Sequence, residues 1–271
     1  MSGPTDDYNA TLTWREELSP NLLVLRLKPD GPLFAFEPGQ YVAIGLFGSS
    51  PRCAFSDPEE PPAAPEKLIK RAFSIASSSR AKEYVEIYVT LVRSGAFTPR
   101  LFALRVGDRL WLGPRATGLF TLDKVPASSD VILVATGTGL APYMSMIRTY
   151  HRCNEARRFV VVHGARYSWD LGYRAELEAL AHGCGTLVYL PTVSRPEQDA
   201  TWRGHVGRVQ SVFEDGTFEK AAGRTPDPAL DHVLLCGNPE MVTEMQKLFV
   251  ARGFTLDTRK VSGNVHTEAY W

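Results

Sequence analysis

The sequence predicts a protein of two domains that differ in fold class. Residues 1–124 are predicted to form an antiparallel six-stranded β-barrel, because short runs rich in Val, Ile, Leu, Tyr and Phe alternate there with Gly and Pro turns. Residues 130–271 are predicted to form an α/β domain with a doubly wound parallel sheet, because continuous apolar runs alternate there with helical patterns. The segment 126–130 between them has the composition of a linker. With 271 residues, 44% of them hydrophobic, the chain can bury a core in each domain.

The first domain is predicted to contain strands, one short helix and one long loop. Five Pro residues between positions 48 and 66 exclude that segment from a sheet interior and predict a surface loop. A helix is predicted to begin at Thr98, which can cap it, with Pro99 in its first turn and Gly107 ending it. The predicted strands are 22–27, 41–47, 68–75, 84–92 and 109–112.

The second domain is predicted from buried strands that helices separate. Strands covered on both faces carry continuous apolar runs rather than an alternating pattern. Because crossover connections make such a sheet parallel, its ligand-binding edge is expected at the carboxyl ends of the strands. The apolar runs lie at 131–134, 159–162, 187–190 and 233–235.

Composition and charge exclude several classes of function. The chain has 30 basic and 30 acidic side chains, and a net charge of zero argues against nucleic-acid binding. No run approaches the roughly 18 apolar residues of a membrane span, and residues 1–7 lack the features of a secretory signal, so a cytoplasmic location is expected. The sequence leaves the oligomeric state open, with a monomer as the default. The four Cys residues are widely scattered, which predicts neither a disulfide framework nor a metal site.

The charge is less evenly distributed in one segment of the first domain. Between Lys67 and Arg115 there are ten basic residues and three acidic ones. A docking surface for an acidic partner would account for this excess, and so would an ordinary solvated face of the barrel.

The tetrad Arg71-Ala72-Phe73-Ser74 lies on a predicted strand of the barrel. An arginine held on a strand can offer a planar fork of donors to a pyrophosphate. Phe73 and Ser74 could present an aromatic face and a hydroxyl to a flat ligand, although rim, core and edge positions are also common for these residue types. The strand Tyr88-Val89-Thr90 and the predicted helix start at Thr98 supply further amides and hydroxyls for phosphates.

A glycine turn follows the first buried strand of the second domain. Gly137-Thr138-Gly139 lies between that strand and an amphipathic helix, where a dinucleotide-binding turn is expected. The pattern departs from GxGxxG because Pro142 replaces the third glycine and starts the helix.

Arginines take the place of the carboxylate that grips ribose in NAD-binding proteins. Arg166 follows the strand 159–164, which has no acid at its end, and Arg195 with either Arg203 or Arg208 follows the next strand. Arginine at these positions favours a 2′-phosphate and therefore NADP over NAD, unless these are simply solvated loop residues.

Two further motifs lie at the end of the chain. Cys236-Gly237 ends a buried strand at the edge where ligands bind, although most cysteines in such places are small buried apolar groups. The chain finishes in Glu268-Ala269-Tyr270-Trp271, and its two aromatics suggest either a lid over a planar ligand or a buried plug.

Taken together, these motifs resemble those of bacterial ferredoxin–NADP reductases, in particular the branch that ends in Tyr-Trp. The likeness covers nearly the whole chain, and the proline-rich loop at 48–66 is the main departure. It implies an FAD-binding barrel, an NADP-binding α/β domain, and hydride transfer between NADPH and FAD. Ferredoxin or flavodoxin is the implied partner, to which single electrons pass.

The resemblance also implies individual roles. Arg71 would hold the FAD pyrophosphate, Phe73 would stack on the isoalloxazine, and Ser74 would lie beside flavin N5. The other implied FAD contacts are Ala72, Tyr88, Val89, Thr90, Ala96, Phe97, Thr98, Thr138 and Trp271. The implied NADP contacts are Gly137, Gly139, Arg166, Arg195, Arg208 or its rival Arg203, Cys236 and Gly237. The implied catalytic residues are Ser74, Cys236, Glu268 and Tyr270, with Tyr270 covering the flavin where the nicotinamide enters.

Other functions share parts of this pattern. A flavin reductase, or the reductase component of an oxygenase, has the same two-domain plan, but the Tyr-Trp end and the missing cluster cysteines count against it. A dehydrogenase without flavin and a flavin-bound sensor that does not turn over are the remaining alternatives.

Overall fold

The structure is a computed structural model, and it describes residues 7–269. The chain divides into two compact units, unit 1 (residues 1–121) and unit 2 (residues 122–271).

Unit 1 is an antiparallel six-stranded sheet with the strand order β4-β3-β6-β1-β2-β5. Its two edge strands approach each other beyond the end of β4, where Ile75 forms a bridge with Ile87 and the Ala76 amide donates to the Glu86 carbonyl at 2.7 Å. The predicted antiparallel barrel is therefore confirmed. The strands are β1 Ala10–Ser19, β2 Leu22–Pro29, β3 Tyr41–Phe47, β4 Leu68–Ser74, β5 Val85–Thr90 and β6 Arg109–Thr117.

The inward side chains of these strands form one core, which α1 (Thr98–Ala103) helps to cover. Leu101 and Phe102 of this helix pack into that core. The predicted cap of α1 is wrong, because the helix is capped at Phe97 without a side-chain hydrogen bond. The Thr98 hydroxyl instead accepts from the Val92 amide at 2.9 Å and donates to the Val92 carbonyl at 3.2 Å. It therefore fastens the turn that precedes the helix.

Unit 2 has a six-stranded parallel sheet with the order β10-β9-β8-β7-β11-β12. The chain starts at β7, proceeds outward through β8 to β10, and returns to place β11 on the other side of β7. The predicted doubly wound parallel sheet is confirmed. The strands are β7 Asp130–Thr136, β8 Phe159–Ala165, β9 Leu187–Val193, β10 His205–Val206, β11 Asp231–Gly237 and β12 Val265–Ala269; the helices are α2 Ala141–Tyr150, α3 Arg174–Gly183, α4 Val209–Glu214, α5 Thr217–Ala222 and α6 Pro239–Ala251.

This topology positions a site by a general rule for open α/β sheets. The chain leaves β7 for β8 on one side and, after β10, returns to β11 on the other side of β7, so the order of strands reverses beside β7. A crevice forms outside the carboxyl ends of the strands at such a point, and ligands bind there.

Three charged side chains join the amino ends of the two central strands. Arg224 contacts the Asp231 carboxylate with both terminal nitrogens, each at 2.6 Å, and the Asp130 carboxylate at 2.7 Å. The Asp231 side chain is fully buried. Its charge is therefore compensated by the Arg224 guanidinium rather than by water.

We expect Arg224→Gln to destabilise unit 2 by about 3 kcal/mol, because it leaves the buried Asp231 carboxylate without its cation. Urea unfolding followed by circular dichroism measures the change. The exposed Arg259 provides the control, since Arg259→Gln removes the same charge from the surface. Equal stability of the two variants would contradict the role given to Arg224.

Two of the four cysteines form a disulfide, contrary to the expectation from their scattered positions. Cys153 follows α2, Cys184 follows α3, and their Cα atoms lie 5.2 Å apart. Spacing along the chain did not reveal this pair, because two crossover connections bring the two loops together.

Within residues 7–269, no three His, Cys, Asp or Glu side chains are grouped so that they could hold a metal ion. No helix in the same range has the length and apolar character that crossing a membrane requires.

Candidate functional site

The first candidate site lies on β4 of unit 1. Arg71 is exposed, and its Nη1 donates to the Lys70 carbonyl at 2.8 Å. Ala72 is exposed and Phe73 is half-buried, whereas Ser74 is buried at the end of the strand. The tetrad thus offers a guanidinium and part of an aromatic face at the surface.

The turn before α1 lies beside this tetrad. The ring of Phe73 contacts that of Phe97, with centroids 5.7 Å apart. Ala96 and Thr98, on either side of Phe97, are half-buried. Within residues 7–269, the backbone N–H groups of Ala96, Phe97 and Thr98 have no hydrogen-bond acceptor. Three successive free amides next to an exposed guanidinium are a donor set that fits a phosphate group.

The third predicted segment of this site is the end of β5. Tyr88 is 3% exposed and Val89 is 2% exposed, and the Val89 side chain belongs to the core of the unit. Thr90 is exposed. A ligand could therefore contact Val89 through its backbone and Thr90 through its hydroxyl.

The second candidate site lies at the carboxyl end of β7 in unit 2. Gly137 to Leu140 form a 3₁₀ helix between β7 and α2. Gly137 has φ +55°, and a Cβ atom on it would meet no atom within 4 Å, so there is free space on its side-chain side. Gly139 instead faces the end of β11, because a Cβ atom there would lie 2.3 Å from the Cys236 carbonyl oxygen. The second glycine thus lets two strand ends approach, a role that the sequence motif does not reveal.

The end of β11 is fixed against the same turn. Gly237 has φ +132°, and a Cβ atom on it would lie 2.4 Å from the Thr136 hydroxyl oxygen. This hydroxyl accepts from the Asn238 amide at 3.0 Å. Asn238 caps α6 with its side chain, as the sequence predicts. Cys236 is fully buried between β7 and β12.

Glu268 lies on β12 directly opposite Cys236 in the register of the sheet. Burial raises the pKa of Tyr143 well above its usual value, and Cys236 and Glu268 make smaller contributions in the same direction. The Tyr143 hydroxyl lies 2.7 Å from the Leu234 carbonyl oxygen. No pattern in the sequence distinguishes Tyr143, because it is one buried tyrosine on a helix. Tyr270 and Trp271 lie outside the described residues.

His163 of β8 is a buried histidine near the carboxyl end of its strand. It is fully buried, its Nδ1 lies 3.2 Å from the Tyr189 hydroxyl, and burial lowers its pKa to about 4. The imidazole beneath the glycine turn is therefore neutral at neutral pH.

Three of the four candidate arginines follow the carboxyl ends of adjacent strands. Arg166 follows β8, Arg195 follows β9, and the Arg195 amide donates to the Arg166 carbonyl at 3.0 Å. Arg208 follows β10 and precedes α4. All three are exposed, so their guanidinium groups form a basic edge to the sheet.

Arg203 is placed differently from this basic edge. It precedes β10 rather than following it, and its Nη1 donates to the carbonyls of Ala200 at 2.7 Å and Trp202 at 2.9 Å. These contacts hold its guanidinium within its own loop.

Comparisons with known proteins identify chains similar to this one. Residues 133–247 match the family described as "Oxidoreductase NAD-binding domain". The chain is 36% identical over 268 residues to "Ferredoxin--NADP reductase B" of Sorangium cellulosum (strain So ce56), covering 98% of each chain. It is 31% identical to "Flavodoxin/ferredoxin--NADP reductase" of Escherichia coli (strain K12), covering 79% of each. Its fold is similar to that of a ferredoxin NADP+ reductase from Neisseria gonorrhoeae with bound FAD and NADP, with a TM-score of 0.81 at 21% identity over 96% of this chain and 97% of that one.

Proposed function

This chain belongs to the ferredoxin–NADP reductase family, and we propose that it transfers hydride between NADPH and FAD and single electrons between FAD and a ferredoxin or flavodoxin. When bound, FAD would supply the conversion between two-electron and one-electron transfer. The observation that carries this proposal is that each unit presents one half of the required donor set: free amides and Arg71 in unit 1, and a glycine turn with a basic edge in unit 2.

Residues 1–124 form the proposed FAD-binding domain. The exposed guanidinium of Arg71 and the amides of Ala96 to Thr98 would bind the pyrophosphate, and Phe73 would pack against the ring system. Ser74 would orient the reactive end of the flavin with its hydroxyl. The remaining proposed contacts are Ala72, Tyr88, Val89, Thr90, Thr138 and, by family likeness alone, Trp271.

Residues 130–271 form the proposed NADP-binding domain. The free space on the side-chain side of Gly137 supports a close approach of the dinucleotide. The guanidinium groups of Arg166, Arg195 and Arg208 would bind its phosphates. Arg208 is favoured over Arg203 for the 2′-phosphate, because the Arg203 guanidinium already has carbonyl partners in its loop.

The proposed catalytic residues of unit 2 lie at the carboxyl ends of β11 and β12. Cys236 and Gly237 would border the nicotinamide, and Glu268 would hold or release a proton at its carboxylate. Tyr270 would occupy the place where the nicotinamide enters; this role rests on the family likeness alone.

The proposed electron carrier is an acidic protein that docks on unit 1. Arg100 and Arg109 form ion pairs with Glu59 and Asp30, so they contribute little net charge. Other basic side chains of the segment 67–115 are exposed and available to an acidic partner; they include Lys67, Arg80, Lys82, Arg93 and Arg115. A monomer in the cytoplasm is the proposed setting, and light scattering of the purified protein measures its oligomeric state.

Flavin absorbance and its response to NADPH test the proposed function. The purified protein is expected to be yellow, to bleach on mixing with NADPH under anaerobic conditions, and to reduce ferredoxin or flavodoxin faster than free FMN. A colourless protein would favour a dehydrogenase without flavin, and a flavin that stays oxidised would favour a sensor. Faster turnover with free FMN would favour a flavin reductase.

A further inference from the structure

The proline-rich loop at 48–66 contacts the turn 93–99. Its backbone runs back along that turn, where the Cys53 amide donates to the Pro99 carbonyl at 2.9 Å and the Asp57 amide donates to the Arg93 carbonyl at 3.1 Å. The loop therefore packs on the carbonyl side of the turn.

Arg100 of α1 joins the loop to the turn. It is buried, and its Nη1 donates to the Ala96 carbonyl at 2.6 Å while its Nη2 donates to the Gly48 carbonyl at 2.7 Å. The same two nitrogens contact both oxygens of Glu59, at 2.9 and 2.8 Å. Such a two-pronged ion pair fixes the guanidinium plane and therefore the position of the Ala96 carbonyl.

Glu59 is the loop residue on which this arrangement depends. Its side chain is 13% exposed, and hydrogen bonds from Arg100 chiefly lower its pKa to about 2. The carboxylate is thus ionised at neutral pH. Its Oε2 also accepts from the Ala63 amide at 3.3 Å, which holds the far side of the loop to the same ion pair.

Arg52 adds a second connection from the loop. Its Nη1 donates to the Gly95 carbonyl at 2.9 Å, and its Nη2 donates to the carbonyls of Asp57 at 2.8 Å and Arg93 at 3.2 Å. Together with Arg100, it binds three carbonyls of the turn: those of Arg93, Gly95 and Ala96.

The arrangement divides the turn into two faces. Its carbonyls are bound by the loop and Arg100, whereas the N–H groups of Ala96, Phe97 and Thr98 have no acceptor within residues 7–269. Fixing the carbonyl of a peptide also fixes the direction of the N–H on the same plane.

We propose that Glu59 and Arg52 are positioning residues for FAD: they hold the turn 93–99, in part through Arg100, so that its free amides point at the pyrophosphate. This inference rests on the proposed function, and it assigns the loop 48–66 to cofactor retention. Both residues would act on the flavin through the turn, which Arg52 contacts directly and Glu59 contacts through Arg100.

Binding of two flavins to the full-length chain after removal of its flavin tests the proposal. Riboflavin lacks the pyrophosphate, so it reports on the ring pocket alone. Glu59→Gln is expected to raise the Kd for FAD about 10-fold, the effect of losing one charged hydrogen bond, and to leave the Kd for riboflavin unchanged. The exposed Glu60 gives the matched control, and Glu60→Gln is expected to bind both flavins as the native chain does. The phosphorus-31 resonances of bound FAD are expected to shift in Glu59→Gln and not in Glu60→Gln.

The outcomes separate this inference from the proposed function. A native chain that binds no FAD overturns both. A native chain that binds FAD, with Glu59→Gln equal to Glu60→Gln, overturns only the positioning role. An equal loss for FAD and riboflavin also overturns it, because that result indicates a general effect on folding. If Glu59→Gln does not fold, Arg52→Lys keeps the charge but loses the two-pronged contact with the turn, and it is expected to show the same selective loss for FAD.

Discussion

Gly139→Ala is expected to destabilise unit 2 by about 3 kcal/mol, the scale of an overpacked backbone contact. A Cβ atom at this position would lie 2.3 Å from the Cys236 oxygen, 2.6 Å from the Cys236 carbonyl carbon and 2.8 Å from the Gly237 Cα. These are all backbone atoms, so no side-chain rotation can relieve the overlap. Either the 3₁₀ turn or the end of β11 must move, and both belong to the proposed nicotinamide site.

A helix-end glycine provides the matched control for this variant. Gly183 ends α3, and a Cβ atom there would meet no atom within 4 Å. Gly183→Ala is expected to change the free energy of unfolding by no more than about 0.5 kcal/mol. Urea unfolding of both variants, followed by tryptophan fluorescence, makes the comparison. Gly139→Ala with the stability of Gly183→Ala would show that β11 tolerates displacement at its end.

The fold was predictable wherever burial leaves a mark on the sequence. The apolar run 131–134 lies within β7, and the run 159–162 lies within β8, because strands covered on both faces need apolar residues on both. β1 was not among the predicted strands. It carries Arg15, Glu16 and Glu17, and its pairing with β2 shifts register twice, so neither an apolar run nor regular alternation marks it.

Parts of the candidate site were predictable from order along the chain. The carboxyl ends of parallel strands share one edge, so Arg166 and Arg195 could be placed together without a structure. The choice between Arg203 and Arg208 could not be made in this way, because it depends on a two-residue strand and on carbonyl partners within a loop. The role of Glu59 likewise depends on contacts with a residue 41 positions away.

Other features required the three-dimensional structure because they arise between distant segments. The loops that carry Cys153 and Cys184 meet only after β8 and β9 pair. Gly139 was recognised as part of a ligand turn, yet its missing side chain makes room for β11. A motif can thus identify the right residue while the structure supplies a different physical reason for it.

Arg208→Leu is expected to lower kcat/KM for NADPH about 100-fold, which corresponds to the loss of charged hydrogen bonds worth about 3 kcal/mol. The kcat/KM for NADH is expected to stay nearly unchanged. The reason is that NADH has no 2′-phosphate to contact this guanidinium. The Arg208 side chain is exposed at the carboxyl end of β10. The next two strands of the sheet are β9 and β8, which are followed by Arg195 and Arg166. Leucine keeps much of the aliphatic stem, so the α4 start that follows should persist. Steady-state rates with both nucleotides measure the effect.

Arg203→Leu is the internal control, since it removes the same charge from the neighbouring loop. Its guanidinium donates to the carbonyls of Ala200 and Trp202, so its loss is expected to loosen that loop and to alter kcat/KM for NADPH only slightly. The reverse pattern, with Arg203→Leu losing NADPH preference and Arg208→Leu retaining it, would show that the loop rearranges to bring Arg203 to the phosphate. Loss with both nucleotides in either variant would indicate a damaged fold rather than a lost phosphate contact. A selective loss in Arg208→Leu alone would assign the preference for NADP to the basic edge formed by Arg166, Arg195 and Arg208.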